Sequence, residues 1–313
     1  MLAMVTGAAG FIGSTLTEQL LALGHTVRGI DAFTPYYDIE TKRRNLSAAM
    51  LHPSFELVDA DLGHTVLAPL LDGVDVVFHQ AGQPGVRLSW SEDFHVYEAH
   101  NVLATQRLLE AVRGSSVQRL VFASSSSVYG EAATYPCTEE QRPQPFSPYG
   151  VTKLAAEHLC CLYAANWGVP AVALRYFTVY GPRQRPDMAM HRIIDAALTG
   201  RPFHLFGTGA QVRDFTFVDD VVHANVLAAD SDLAPGTVLN IAGGTSTDMR
   251  SVIDRISRLT GIEVEVVAEA EQAGDVARTG GDRSRAEALL GWQPRIGLDQ
   301  GLAAQIRWHR ERR

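Results

Sequence analysis

A chain of 313 residues can bury a full core as one large domain or two coupled ones. With 46% hydrophobic and 20% charged residues it has the composition of a globular enzyme, and its formal net charge of −8 excludes the basic footprint of a nucleic-acid binder. Cys137, Cys160 and Cys161, two of them adjacent, give neither a disulfide framework nor metal-ligand spacing, so no metal is expected. No apolar run reaches the roughly 18 residues that would suggest a membrane span, and residues 1–7 lack a signal-peptide pattern. A cytoplasmic, soluble protein is expected.

In chain order, short apolar strands are predicted over residues 2–5, 26–30, 55–58, 74–79, 120–124 and 171–175. Helical stretches over 12–23, 93–112 and 149–166 separate most of them, with Gly24 as a stop for the first. This alternation predicts an α/β fold, a Rossmann-type doubly wound parallel sheet. Beyond Arg175 the pattern breaks into loops rich in Gly, Pro and Arg, resumes at 238–241, and reads as helix over 247–260 and 298–312. The expected organisation is a cofactor domain over 1–175 and a smaller interleaved domain over 176–313, with a segment near 238–260 returning to the first.

Gly7, Gly10 and Gly13 follow the first strand and open the first helix with G-x-x-G-x-x-G spacing. Glycines there allow a tight turn and let backbone approach a pyrophosphate at a helix N-terminus, although they also serve ordinary strand-to-helix turns. Asp31 ends the second strand near the spacing expected of a carboxylate on a ribose diol. It would repel a 2′-phosphate, which favours NAD over NADP; a surface turn is the alternative. Asp61 and Leu62, after the third strand, could meet adenine or form a turn.

Tyr149 and Lys153 lie four residues apart, on one helix face. A phenol titrating near 10 is a poor base at neutral pH unless neighbouring cations favour the phenolate. Such a pair also arises by chance. Its order after the glycine loop, and after a strand ending in Ser124, Ser125, Ser126 and Ser127, gives it weight. Those hydroxyls point into the ligand crevice, or else cap a turn. Asp219 and Asp220 read as a helix start.

Together these residues resemble the extended short-chain dehydrogenase/reductase family of nucleotide-sugar epimerases and dehydratases, over nearly the whole chain. The closer resemblance is to the UDP-glucuronate 4-epimerases, through Tyr36-Tyr37-Asp38 with Lys42-Arg43, Gly85-Val86-Arg87, and the stretch Phe177 to Ala189. It implies bound NAD, a UDP-sugar partner and a homodimer in which helices 93–112 and 149–166 pack across a two-fold axis. It implies Tyr149 as the base, Lys153 as its electrostatic partner and Ser125 as the hydroxyl sharing the proton. Phe11, Ile12, Ala81, Gln83 and Tyr176 join the cofactor site by the same likeness. Gln211 and Arg213 match the UDP-binding stretch, and Asp275 a ribose-holding loop in which Ala273 stands where relatives often have Pro. From the residues alone, Arg213 could instead pair with a carboxylate, Arg87 brace a turn, and Arg183 and Arg185 cap their own loop.

Dehydratases of this family carry Asp-Glu where this chain has Ser126-Ser127, and decarboxylases acting on UDP-glucuronate carry Glu at the position of Ser127. The resemblance therefore implies an epimerase. A 4-keto glucuronate is a β-keto acid that loses carbon dioxide if its carboxylate aligns with the carbonyl π system. Ser126, Ser127, Thr178 and Arg185, with Arg192, are expected to hold it out of alignment. Neutral UDP-glucose 4-epimerases usually have Asn in place of Thr178. A UDP-glucose 4-epimerase, a UDP-glucuronate decarboxylase and a non-catalytic dinucleotide sensor remain as alternatives.

Overall fold

The structure, a computed structural model, describes residues 1–312. Its strands are β1 (Leu2–Thr6), β2 (Thr26–Asp31), β3 (Phe55–Asp59), β4 (Val76–His79), β5 (Arg119–Ser125), β6 (Ala171–Tyr176), β7 (Thr178–Tyr180), β8 (Phe203–Phe206), β9 (Val212–Phe217), β10 (Val238–Ile241), β11 (Thr245–Asp248) and β12 (Val266–Glu269). Its α-helices are α1 (Phe11–Ala22), α2 (Ile39–Asn45), α3 (Phe94–Tyr97), α4 (Ala104–Arg113), α5 (Pro148–Trp167), α6 (Ala189–Thr199), α7 (Val218–Asp230), α8 (Met249–Thr260), α9 (Ser284–Leu290) and α10 (Leu298–Glu311).

Seven strands form one sheet in the order β10-β6-β5-β4-β1-β2-β3, parallel throughout. Helices cover both faces, so β1, β4, β5 and β6 are almost wholly buried and read as continuous apolar runs. The order reverses between β1 and β4, which opens a crevice beyond their carboxyl ends. A second sheet joins β7, β9 and β11, and β8 pairs with β12.

Three sequence expectations need correction. The 93–112 stretch is not one helix: a π-helical turn over Glu98–Leu103 separates α3 from α4. The wider turn carries Asn101, which is 2% exposed, with its Oδ1 accepting from Gln83 N at 2.7 Å and its Nδ2 donating to Thr152 Oγ1 at 3.0 Å. Between Arg175 and β10 the chain is not mainly loop but holds β7, α6, β8, β9 and α7. The helix expected over 247–260 starts at Met249, because Thr247 and Asp248 belong to β11 and the Asp248 carboxylate caps the helix through Ser251 N.

Helix α5 begins where Ser147 accepts from Gly150 N at 3.1 Å ahead of Pro148, and it ends at Gly168 in the left-handed region. Its inner face is tied to the sheet by a buried polar network. Glu157 receives Ser124 Oγ at 2.6 Å and two bonds from Arg175 at 2.7 and 2.9 Å. Arg175 also donates to Tyr129 Oη at 2.7 Å, and that hydroxyl donates to Asn240 Oδ1 at 2.7 Å. Removing one partner of such a pair strands a buried charge. Arg175→Met is expected to cost about 3–5 kcal/mol, read as a lowered urea midpoint, whereas the exposed Arg43–Glu40 pair should cost under about 1 kcal/mol when broken.

Candidate active site

The cofactor side is built from β1, α1 and the end of β2. Gly7 has φ +68°, and a side chain there would lie 2.8 Å from Ala81 N on the neighbouring strand's exit. A methyl at Gly13 would run into the Gly7 carbonyl. The three glycines thus let α1 start against β1 and β4, with its amide end aimed at the crevice. That end has no side-chain cap and no acidic residue in its first turn, so its partial positive charge is not neutralised. Asp31, 8% exposed, is fixed by Ala9 N at 2.9 Å and Phe33 N at 2.8 Å. Asp61 accepts from Gly63 N at 2.7 Å, so it makes a turn while also facing the cleft. Gly7, Gly10, Phe11, Ile12, Gly13, Asp31, Asp61, Leu62, Ala81, Gln83, Tyr149, Lys153 and Tyr176 all line this one cleft. A cradle that admits no Cβ, a bare helix N-terminus and a fixed carboxylate twenty-two residues beyond Ala9 fit the pyrophosphate and ribose of a dinucleotide.

Tyr149 and Lys153 enter the cleft from the first turns of α5. Burial raises the Tyr149 phenol, opposed by a hydrogen bond with Ser125 and by the Arg185 guanidinium. Arg185 and Lys153 both line the cleft with Tyr149, so two cations of the protein face it. Lys153 is 6% exposed, and burial lowers its ammonium to about 8, against the pull of Glu157. It remains charged at neutral pH and sits 4.5 Å from the Phe122 ring centroid. Ser125 ends β5, and its Oγ also accepts from Ser127 N at 3.2 Å, so it caps the following turn while facing Tyr149. Ser124, by contrast, is buried and committed to Glu157.

Ser125 pairs with Tyr176 across β5 and β6; Ser126 and Ser127 follow it in a short 3-10 turn, and Thr178 opens β7 two residues after Tyr176. Arg185 lines the same cleft as Tyr149 and Lys153. Farther out, Arg87 donates to Asp275 at 2.9 Å and lies 4.2 Å from the Phe206 ring, which Arg192 approaches at 5.7 Å. Arg213, largely buried, donates to Val212 O at 2.9 Å, with Asp275 and Arg87 among its charged neighbours. The three guanidiniums thus gather around Phe206 and Asp275. Gln211, whose amide donates to Phe206 O at 3.2 Å, and Asp275 line a second, wider cleft beside them. Arg183 does not join this group: it pairs with Glu18 of α1 through two 2.7 Å bonds. Asp219 and Asp220 occupy the first turn of α7, and Asp220 accepts Arg295 N and Ile296 N. Among the described residues no group of three His, Cys, Asp or Glu could hold a metal, and no helix is long and apolar enough to cross a membrane.

The sequence reading gave no role to Asn101, Tyr36 or Asp187. Nothing in the spacing around Asn101 signals a π-turn. Tyr36 and Asp187 fall within the stretches that carry the family resemblance, and the fold brings them together.

The Lys153 ammonium gives a test whose sign follows from linkage. Its folded value lies below its ordinary 10.5, so the unfolded chain holds the proton more tightly and stability rises as the pH climbs from about 8 to 10.5. Lys153→Met is expected to stabilise the cofactor-free protein at pH ~7 by up to about 3 kcal/mol while lowering turnover at least about a hundredfold. Thermal melts at neutral and alkaline pH check it: the stability advantage should shrink towards pH ~10.5.

Residues 3–242 match the model of the NAD dependent epimerase/dehydratase family. YtcB of Bacillus subtilis (strain 168), described as an uncharacterized UDP-glucose epimerase, is 44% identical over 97% of this chain and 96% of its own length. The UDP-glucose 4-epimerase of Mycolicibacterium smegmatis (strain ATCC 700084 / mc(2)155) is 37% identical over 100% of this chain and 99% of its own. The crystal structure of a UDP-glucuronic acid 4-epimerase from Bacillus cereus, in complex with UDP-glucuronic acid and NAD, superposes with a TM-score of 0.97 at 40% identity, covering 100% of both chains. The chain belongs to the NAD dependent epimerase/dehydratase family, as an NAD-dependent nucleotide-sugar epimerase.

Proposed function

We propose that the chain is a UDP-glucuronate 4-epimerase, interconverting UDP-glucuronate and UDP-galacturonate through a 4-keto intermediate. The observation that carries this reading is Arg185, a guanidinium lining the same cleft as Tyr149 and Lys153. A cation there suits a carboxylate on the sugar. The likeness to the Bacillus cereus enzyme, over the full chain, supports it.

NAD, held by Asp31 and the glycine cradle, would supply the acceptor for the hydride leaving the sugar C4 and a further positive charge in the cleft. Tyr149, raised by burial, needs that added charge besides Arg185 to ionise at neutral pH. It then takes the proton of the sugar 4-hydroxyl, with the Ser125 hydroxyl sharing the hydrogen bond. Asp31 and the glycine cradle hold the dinucleotide, assisted by the other residues lining that cleft. Arg213, with Arg87 and Gln211, grips the nucleotide diphosphate and Asp275 holds its ribose, so that the keto sugar can turn over without leaving. Ser126, Ser127, Thr178 and Arg185, with a contribution from Arg192, hold the sugar carboxylate away from the carbonyl π system. Ser126 and Ser127 offer no carboxylic acid for elimination.

On this reading residues 1–175 carry the cofactor and 176–313 mainly the UDP-sugar, with the segment near 238–260 attached to the cofactor side. A homodimer would pair the outer faces of α3, α5 and the π-turn between α3 and α4, where Phe94, Leu103, Val151 and Leu162 are exposed. A UDP-glucose 4-epimerase is the second reading, favoured by the M. smegmatis relative.

Proton NMR of UDP-glucuronate with the purified protein and no added reductant should show UDP-galacturonate. A pentose product would indicate decarboxylation, and turnover of UDP-glucose alone would favour the second reading. Thr178→Ala and Arg185→Ala are expected to raise carbon dioxide release per epimerisation at least about tenfold; an unchanged ratio removes them from carboxylate control.

A further inference from the structure

Arg185 does not meet the cleft as a bare cation. Its Nε and Nη2 donate to Oδ1 and Oδ2 of Asp187, both at 3.0 Å, and Tyr36 Oη donates to Asp187 Oδ2 at 3.2 Å. The guanidinium also lies 5.9 Å from the Tyr36 ring centroid. Gly85, at φ +102°, lets the chain pass so close that a side chain would collide with the Tyr36 hydroxyl. The side chains of Arg185 and Asp187 are 20% and 37% exposed, and Tyr36 lines the cleft with Arg185. A bidentate guanidinium–carboxylate pair of this kind is neutral as a unit. A neutral sugar entering beside it leaves no buried cation without a partner. An acidic sugar finds that edge of Arg185 taken, and must displace Asp187 or add a second negative charge beside it.

We propose that Asp187 is an internal competitor for the sugar carboxylate on Arg185, and so sets how strongly the site prefers an acidic sugar to a neutral one. The proposal rests on the reading that the glucuronate carboxylate goes to Arg185. Asp187 acts through Arg185 and is a specificity-determining residue, not a catalytic one. Its carboxylate also bears on Arg192, the other cation expected near the sugar, so one charge trims both. Tyr36 tethers Asp187 to the cofactor side of the cleft and keeps the fork closed.

The test is calorimetric binding to NAD-loaded protein in a Tyr149→Phe background, where neither substrate is converted. Asp187→Asn is expected to tighten UDP-glucuronate about tenfold, or about 1.4 kcal/mol, and to leave UDP-glucose within about twofold, or about 0.4 kcal/mol. Asp187→Glu should keep the wild-type ratio. Tyr36→Phe, which removes only the tether, should move the ratio in the same direction as Asp187→Asn, and it supplies a milder second variant. In an Arg185→Ala background Asp187→Asn should no longer separate the two ligands. An equal effect on both ligands, or weaker glucuronate binding, would overturn the proposal and leave Asp187 as a support that merely orients Arg185. Because binding is read without turnover, an active-site-intact protein that fails to convert UDP-glucuronate would sink the epimerase reading alone. Normal conversion with an unchanged affinity ratio in Asp187→Asn would sink this one alone.

Discussion

The structure hangs on one buried ion pair, Glu157 with Arg175, 2% and 4% exposed. A carboxylate and a guanidinium can stay charged there because each of their nitrogens and oxygens has a hydrogen-bond partner. Those partners come from different parts of the chain: Ser124 at the end of β5, Tyr129 in the loop beyond it, and through Tyr129 the side chain of Asn240 on β10. Asn240 passes the connection on to the carbonyls of Cys137 and Asp282. The helix carrying Tyr149 and Lys153, the strand end carrying Ser125 and the loop leading back from residue 282 are thereby fixed against one another. An apolar core could hold these elements together, but hydrogen bonds also fix their register.

Electrostatics in the cleft follow from the same burial. A phenol, an ammonium and a guanidinium sit where water is scarce, so each is pushed towards its neutral form unless a neighbour intervenes. Lys153 keeps its charge at neutral pH with little to spare, whereas Arg185 keeps it outright, with Asp187 opposing the effect of its burial. The result is a Tyr149 phenol held above its ordinary range by burial, so that it stays protonated at neutral pH. Such a site is poised by its contents and not by the protein alone.

How much of this could be read from the sequence depends on how local the signal is. The parallel strands of the first half announced themselves because burial on both faces demands unbroken apolar runs, and Ser147-Pro148 and Gly168 mark both ends of α5. The glycine loop, Asp31, Tyr149 and Lys153 stand out by their spacing and order, and the fold brings them to one cleft. The second half was harder. β7 has three residues and β8 four, too short for a period to show, and α7 buries Asp220 and Asn225 among its valines and alanines. The π-turn that inserts Asn101 has no sequence period of its own. Tyr36 and Asp187 are 151 positions apart, and only the folded chain reveals that they meet.

The path of the chain through the large sheet has a wider consequence. After leaving at β6, it builds part of the smaller lobe and then comes back to lay β10 along β6, from Val238 beside Ala173 to Ile241 beside Tyr176. No single cut therefore separates the two lobes into pieces that each keep a whole sheet. The protein should melt in one cooperative transition, and it is a poor candidate for recombination by swapping halves. The loop from Gly181 to Asp187, which carries Arg185 into the cleft, is itself held rigid at its base by Arg183 and Gln184. Because the two lobes share one continuous path, a change in either is felt through strand β10 by the other.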